Sequence, residues 1–293
     1  MMANSLFPTR SRRMRFAVAY DGTPYAGWQS QKGGGAIQDV IEAAFLGVCG
    51  RPVRIVGAGR TDAGVHALGQ VFHADLPPDS LAPQILRRAL NARLPPSIRI
   101  LRAAQTTAAF HARFSAISKV YRYTLHTGEV LPPFFHNRAW HVPTALDMTT
   151  LRAAATLFRG TRNFAAFSAN RGKPMENPVR TIHMITISKK GRVIAVDIEG
   201  DGFLYKMVRM IVAAMVRHAQ GRETAADIAH ALEKGHPTSR FVAPAGGLTL
   251  VRVRHQRGTH APSLSRRLPE SAVSKSCEAG AAARGSKRST PRR

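Results

Sequence analysis

The chain has 293 residues, 44% of them hydrophobic, enough for a sizeable core in one or two domains. Its 43 Lys/Arg against 17 Asp/Glu give a net charge of +26, so the expected partner is a polyanion, nucleic acid first. No apolar run reaches the roughly 18 residues of a membrane span, no apolar segment follows the basic N-terminus as in a secretory signal, and the two cysteines lie far apart without zinc spacing; a reducing, cytoplasmic setting is the expectation.

Residues 1–13 read as a flexible basic leader. Arg15 to Tyr20 reads as a strand that runs into the turn Asp21-Gly22-Thr23-Pro24. Ile37 to Val48 has apolar residues at helical spacing, entered through Gly33-Gly34-Gly35. A short strand at Val53 to Val56 leads into the loop Gly59-Arg60-Thr61-Asp62-Ala63-Gly64-Val65-His66, and another apolar run follows at Val71 to Ala74. Ser80 to Leu94 reads as a second helix, closed by Pro95-Pro96, and Ile98 to Ala103 as a strand.

A similar order then recurs. Lys119 to Leu125 is a strand with Tyr121 and Tyr123 on one face. Asp147 to Phe158 is a helix, with Asp147 or Thr149 available as its cap. Strands follow at Thr181 to Ser188 and Val193 to Ile198, then a long helix at Phe203 to Gln220, a shorter one at Thr224 to Lys234, and a closing strand at Leu248 to Val253. The fold class this order predicts is α+β in two halves, 14–115 and 116–255. From about Gln256 to Arg293, Ser, Ala, Gly, Pro and Arg dominate, and the segment reads as a disordered basic tail. That tail holds nine Lys/Arg and two Asp/Glu, so residues 1–255 are basic in their own right.

The loop around Asp62 is the densest chemical signal. It packs an arginine, a carboxylate, two glycines and a histidine into eight residues. A carboxylate beside a guanidinium stays ionised at neutral pH, which suits a nucleophile, a base or a structural ion pair. Gly57-Ala58-Gly59 follows a strand, as in a dinucleotide loop, but the sixth position is Asp62, a carboxylate that would face pyrophosphate. A Rossmann loop is rejected on that ground.

Arg209 lies in the middle of a helix that is apolar nearly all round. Buried, it needs a partner, and Asp62 is one of few acids available; the alternative is that it snorkels to solvent along its own stem. Tyr121 either packs in the core or, beside a basic cleft, stacks on a base or transfers a proton. Phe110-His111-Ala112-Arg113-Phe114 interleaves aromatic and basic groups, a mix that suits base stacking and phosphate contact as well as an inter-domain connector. His66 and His73 have no cluster of metal-ligand spacing around them, and neither reads as a ligand. No nucleotide or metal motif occurs, so no cofactor is expected.

The loop Gly59 to His66 resembles the catalytic loop of the TruA-type tRNA pseudouridine synthases. Tyr20 to Gln29 is similar to that family's opening strand and turn, and Phe110 to Phe114 to its linker motif. Tyr121-Arg122-Tyr123, Asn163-Phe164 with Phe167-Ser168, Gly202 to Arg209, and Pro244 to Leu248 resemble further family segments, in the family's order, over roughly residues 14–255. Two positions depart from it: Met210, where an Asn is common, and Lys206, where Asn or His is frequent.

The resemblance implies a homodimeric enzyme that isomerises uridine to pseudouridine at tRNA positions 38–40, in the anticodon stem-loop. It implies two ferredoxin-like halves, with antiparallel sheets flanking a central cleft, and no metal or cofactor. By position, Asp62 is then the catalytic aspartate, and Arg209 holds it ionised and oriented. Tyr121 stacks on the target base and is a candidate to take the C5 proton. Leu248 packs on the base from the other side, and Arg60 contacts the RNA backbone. His66, Phe110 and Arg113 complete the expected substrate-binding set. Against this stands a catalytically silent RNA-binding protein on the same scaffold, which predicts loss of Asp62, Tyr121 or Arg209; all three are present.

Overall fold

The computed structural model describes residues 11–169, 177–237 and 239–256. The first half supplies β1 (Arg12–Tyr20), α1 (Ile37–Cys49), β2 (Ile55–Gly57), β3 (His66–Leu76), α2 (Pro83–Arg93) and β4 (Ile98–Gln105). The second supplies β5 (Ala116–His126), β6 (Trp140–His141), α3 (Met148–Leu157), β7 (Gly160–Asn163), β8 (Val179–Lys190), β9 (Val193–Gly200), α4 (Met207–Ala219), α5 (Ala225–Lys234) and β10 (Leu248–His255). Among the described residues this is a mixed α/β fold of five α-helices and one ten-stranded sheet.

The sheet runs β4-β1-β3-β10-β5-β9-β8-β7, with β2 paired to β3 and β6 to β5. The last strand is therefore not an edge. It lies between β3 and β5, antiparallel to β5 and parallel to β3 through Thr249↔His66 and Leu250↔Ala67. The strands of 14–115 thus occupy one end of a continuous sheet, those of 116–200 the other, and β10 joins them.

The helices hold because their apolar faces are covered. In α1, Ile37, Ile41, Ala44 and Phe45 are buried, and Asp39 accepts from the Ala36 N–H at its start. Phe45 meets Phe16 of β1 edge-on at 5.5 Å, and Phe16 stacks on Phe72 of β3 at 4.8 Å. Burying rings of this size supplies about 2–3 kcal/mol each. Asp147 caps α3 by accepting from the Thr149 and Thr150 N–H groups, and Thr224 caps α5 in a reciprocal box with Asp227. In α4, every residue from Met210 to Val216 is buried, as expected of a helix apolar all round.

Three expectations are corrected. Arg12 and Arg13, assigned to the leader, are strand residues; Arg13 makes a two-point ion pair with Asp75 across β1–β3. Helix α4 starts at Met207, not Phe203, because Lys206 takes a left-handed backbone (φ 62°) that a helix cannot contain. One continuous sheet replaces the separate sheets expected. The basic tail lies outside the described residues, apart from Gln256.

Candidate active site

The loop after β2 is fixed from several sides. Gln70 donates to Gly59 O at 2.8 Å, the Trp28 N–H to Thr61 O at 3.0 Å, and the Tyr20 hydroxyl shares a hydrogen bond with Thr61 Oγ1 at 2.8 Å. The Val65 N–H closes a turn on Asp62 O at 3.1 Å, and Gly64 takes the left-handed conformation (φ 77°) this turn requires. At Gly22 a Cβ would lie 2.0 Å from Val65 O, so the turn after β1 lies backbone-to-backbone against the loop. Asp62 is thereby held rigidly, and its side chain keeps 23% of its exposure.

Arg209 comes to it from α4. Its Nη1 stands 3.7 Å from Asp62 Oδ2, an ion pair slightly longer than a hydrogen bond, and its Nε donates to Ala243 O at 2.6 Å. The second contact fixes the guanidinium plane. Of the two readings left open for Arg209, pairing with Asp62 is the one observed.

The Asp62 loop faces a cleft of about 570 Å³, which the first residues of α4, Met207 and Val208, also line. Asp62 is the one carboxylate among the residues that line it. Tyr121 and Leu248 also line it, each mostly buried. The Tyr121 ring packs edge-on against Phe203 at 5.2 Å. Burial, with Tyr20 and Asp62 nearby, raises the Tyr121 pKa, so it enters any reaction as a phenol. Around the cleft stand Arg60, Arg113, Lys119, Arg180 and Lys206. Arg60 is exposed and donates to Gln29 at 3.2 Å. An apolar floor, one carboxylate and a ring of cations suit an uncharged base on an anionic backbone.

Two residues of the expected set lie elsewhere. Phe110 is fully buried, under the Arg15 guanidinium at 5.3 Å and beside His255 at 5.1 Å. The aromatic that reaches solvent is Phe114, 77% exposed and stacked on His111 at 4.3 Å. His66 is buried outside the cleft. Its Nε2 donates to Asn137 O at 2.7 Å, and its Nδ1 accepts from the Gly22 N–H at 3.1 Å, with Asp21 Oδ1 also 3.1 Å away. It braces the turn that backs the Asp62 loop. The sequence gives no signal for Lys119 and Arg180, single cations in so basic a chain, and marks Lys206 only as a departure from the resembling family.

The family model of tRNA pseudouridine synthases matches residues 16–115 and 154–256. The chain is 47% identical over 255 residues to tRNA pseudouridine synthase A of Akkermansia muciniphila, covering 84% of this chain and 96% of that one. It is 40% identical over 242 residues to tRNA pseudouridine synthase A of Methylacidiphilum infernorum, covering 82% and 94%. A solved Cbf5-Nop10-Gar1 complex aligns at 13% identity and a TM-score of 0.34, over 83% of this chain and 48% of that one.

The class these matches define is an RNA-modifying isomerase that converts uridine to pseudouridine. Within that class, the chain belongs to the tRNA pseudouridine synthase family.

Proposed function

We propose that the enzyme acts on uridines 38–40 in the anticodon stem-loop of tRNA, with Asp62 as its catalytic carboxylate. The observation that supports this reading is Asp62, the one carboxylate among the described residues that line the cleft, with Arg209 of α4 3.7 Å from its Oδ2. The reaction breaks the uridine N1–C1′ bond, turns the detached uracil, and joins C5 to C1′. The C5 proton leaves and N1 gains one, so the product is an isomer. Asp62 acts at the ribose, by attack at C1′ or by taking a ribose proton, and Arg209 keeps it oriented. Tyr121 and Leu248 hold the base, and Tyr121 relays the C5 proton. Arg60 and Arg113 contact the RNA backbone.

Reaching such a cleft requires the uridine to leave its stack, at a cost of a few kcal/mol. Phosphate contacts to the basic rim offset that cost. In this reading the sequence halves 14–115 and 116–255 are ferredoxin-like units meeting at the cleft. The protein works as a cytoplasmic homodimer without a cofactor, and the basic tail adds non-specific RNA attraction. The test is to incubate the protein with an unmodified tRNA transcript and map pseudouridine along it. Pseudouridine within positions 38–40 is expected. Pseudouridine only elsewhere, or none in tRNA that is bound, would overturn the reading.

A further inference from the structure

We propose that Arg113, Lys119 and Arg180 form a seat for one backbone phosphate flanking the target uridine. The proposal rests on Asp62 marking the reaction centre. All three side chains line the Asp62 cleft, although they come from the 110–115 segment, from β5 and from β8. The chain has few carboxylates, and Arg13, Arg122, Arg138 and Arg254 each take one as an ion-pair partner, whereas Asp201 is the carboxylate that acts on Lys119. Among the described residues none of the three seat cations makes an ion pair.

Their placement is held by contacts that leave the charge available. Arg180 Nη1 donates to Asn177 O at 3.0 Å and Val179 O at 2.6 Å, and the Arg113 guanidinium lies 5.6 Å from the Phe114 ring centre. Lys119 runs beside the catalytic loop; a Cβ on Gly59 would lie 3.4 Å from its Nζ. The ammonium is thus carried alongside the loop that presents Asp62. Burial lowers the Lys119 pKa, the charges of Arg113 and Arg180 lower it further, and the Asp201 carboxylate offsets this only in part. Three like charges on a half-buried wall repel one another, and a phosphate relieves that repulsion. The cleft floor takes the uncharged base, so the anion belongs at this wall, one linkage from the base.

The test uses binding of full-length tRNA to the non-turning-over Asp62→Asn protein, with and without Lys119→Met. The tRNA carries one neutral methylphosphonate linkage, on either side of the target uridine, against a matched charged control. At one of the two linkages, neutralisation should weaken binding by about tenfold when Lys119 is present and by less than about twofold in Lys119→Met. That variant should also lower the slope of log affinity against log salt by about one, and Arg180→Gln should repeat both effects if Lys119→Met fails to fold. Equal penalties in both backgrounds at both linkages, or an unchanged salt slope, would overturn the seat. Pseudouridine formation by the native protein is measured on the same control tRNA. Its absence would count against the proposed function, whereas product without coupling would count against the seat alone.

Discussion

Asp62 and Arg209 meet from distant parts of the chain, carboxylate oxygen 3.7 Å from guanidinium nitrogen, with Arg209 also anchored to Ala243 O. Removing the arginine takes the opposite charge away from a mostly buried carboxylate and the Nε donor away from the Ala243 carbonyl. Arg209→Ala should cost about 1–3 kcal/mol of stability and slow turnover at least about 100-fold. Thermal melting and single-turnover rates check both. An unchanged melting temperature with full activity would mean the pair is incidental.

Tyr121→Phe removes a hydroxyl and keeps the ring against Phe203. Because burial and the nearby Tyr20 and Asp62 raise its pKa, the hydroxyl relays a proton only by giving one up as it receives another. The variant should bind tRNA as the native protein does and lose about 100-fold or more in single-turnover rate. Equal rates would leave Tyr121 a packing residue.

Phe110 and Phe114 separate core from contact. Phe110→Ala should lower stability by about 3–5 kcal/mol, since the ring is fully enclosed. Phe114→Ala should leave melting unchanged and weaken tRNA binding by about 1–3 kcal/mol if a base stacks on the exposed ring. Melting curves and a tRNA titration distinguish the two; unchanged affinity for Phe114→Ala would remove it from the interface.

Acid should weaken the fold through His73. Burial, then Arg13 and His111, hold its pKa down from 6.5 to about 4, and its Nδ1 accepts from the Ala112 N–H at 3.1 Å. Between those values the unfolded chain binds the extra proton and the folded chain does not. Stability therefore rises with pH across the window and is lost on acidification, by roughly 1–3 kcal/mol at pH 4. Denaturant unfolding at pH 7 and pH 4 should show a smaller acid loss in His73→Gln than in the native chain; equal losses would contradict this.

The sequence made local elements and the Asp62 loop legible because both are written in short-range periodicity and turn residues. Four features depended on longer range. The start of α4 is hidden in the sequence because Phe203 and Leu204 are apolar, and only the left-handed Lys206 shows that they precede the helix. The insertion of β10 between β3 and β5 is a pairing across most of the chain. Which phenylalanine of 110–114 faces solvent depends on His73, Arg15 and His255 closing over Phe110, residues remote in sequence. Arg12 and Arg13 read as leader because their charge hides a strand in which Asp75 pairs with Arg13 and the Leu81 carbonyl accepts from Arg12.

The most direct test of the account is tritium release from tRNA labelled at uridine C5, comparing the native chain with Asp62→Asn. The account requires release by the native protein and none by the variant, with tRNA binding preserved in both. Release by Asp62→Asn at the native rate would contradict a catalytic role for Asp62. No release from native protein that binds the tRNA would contradict the proposed reaction on that substrate.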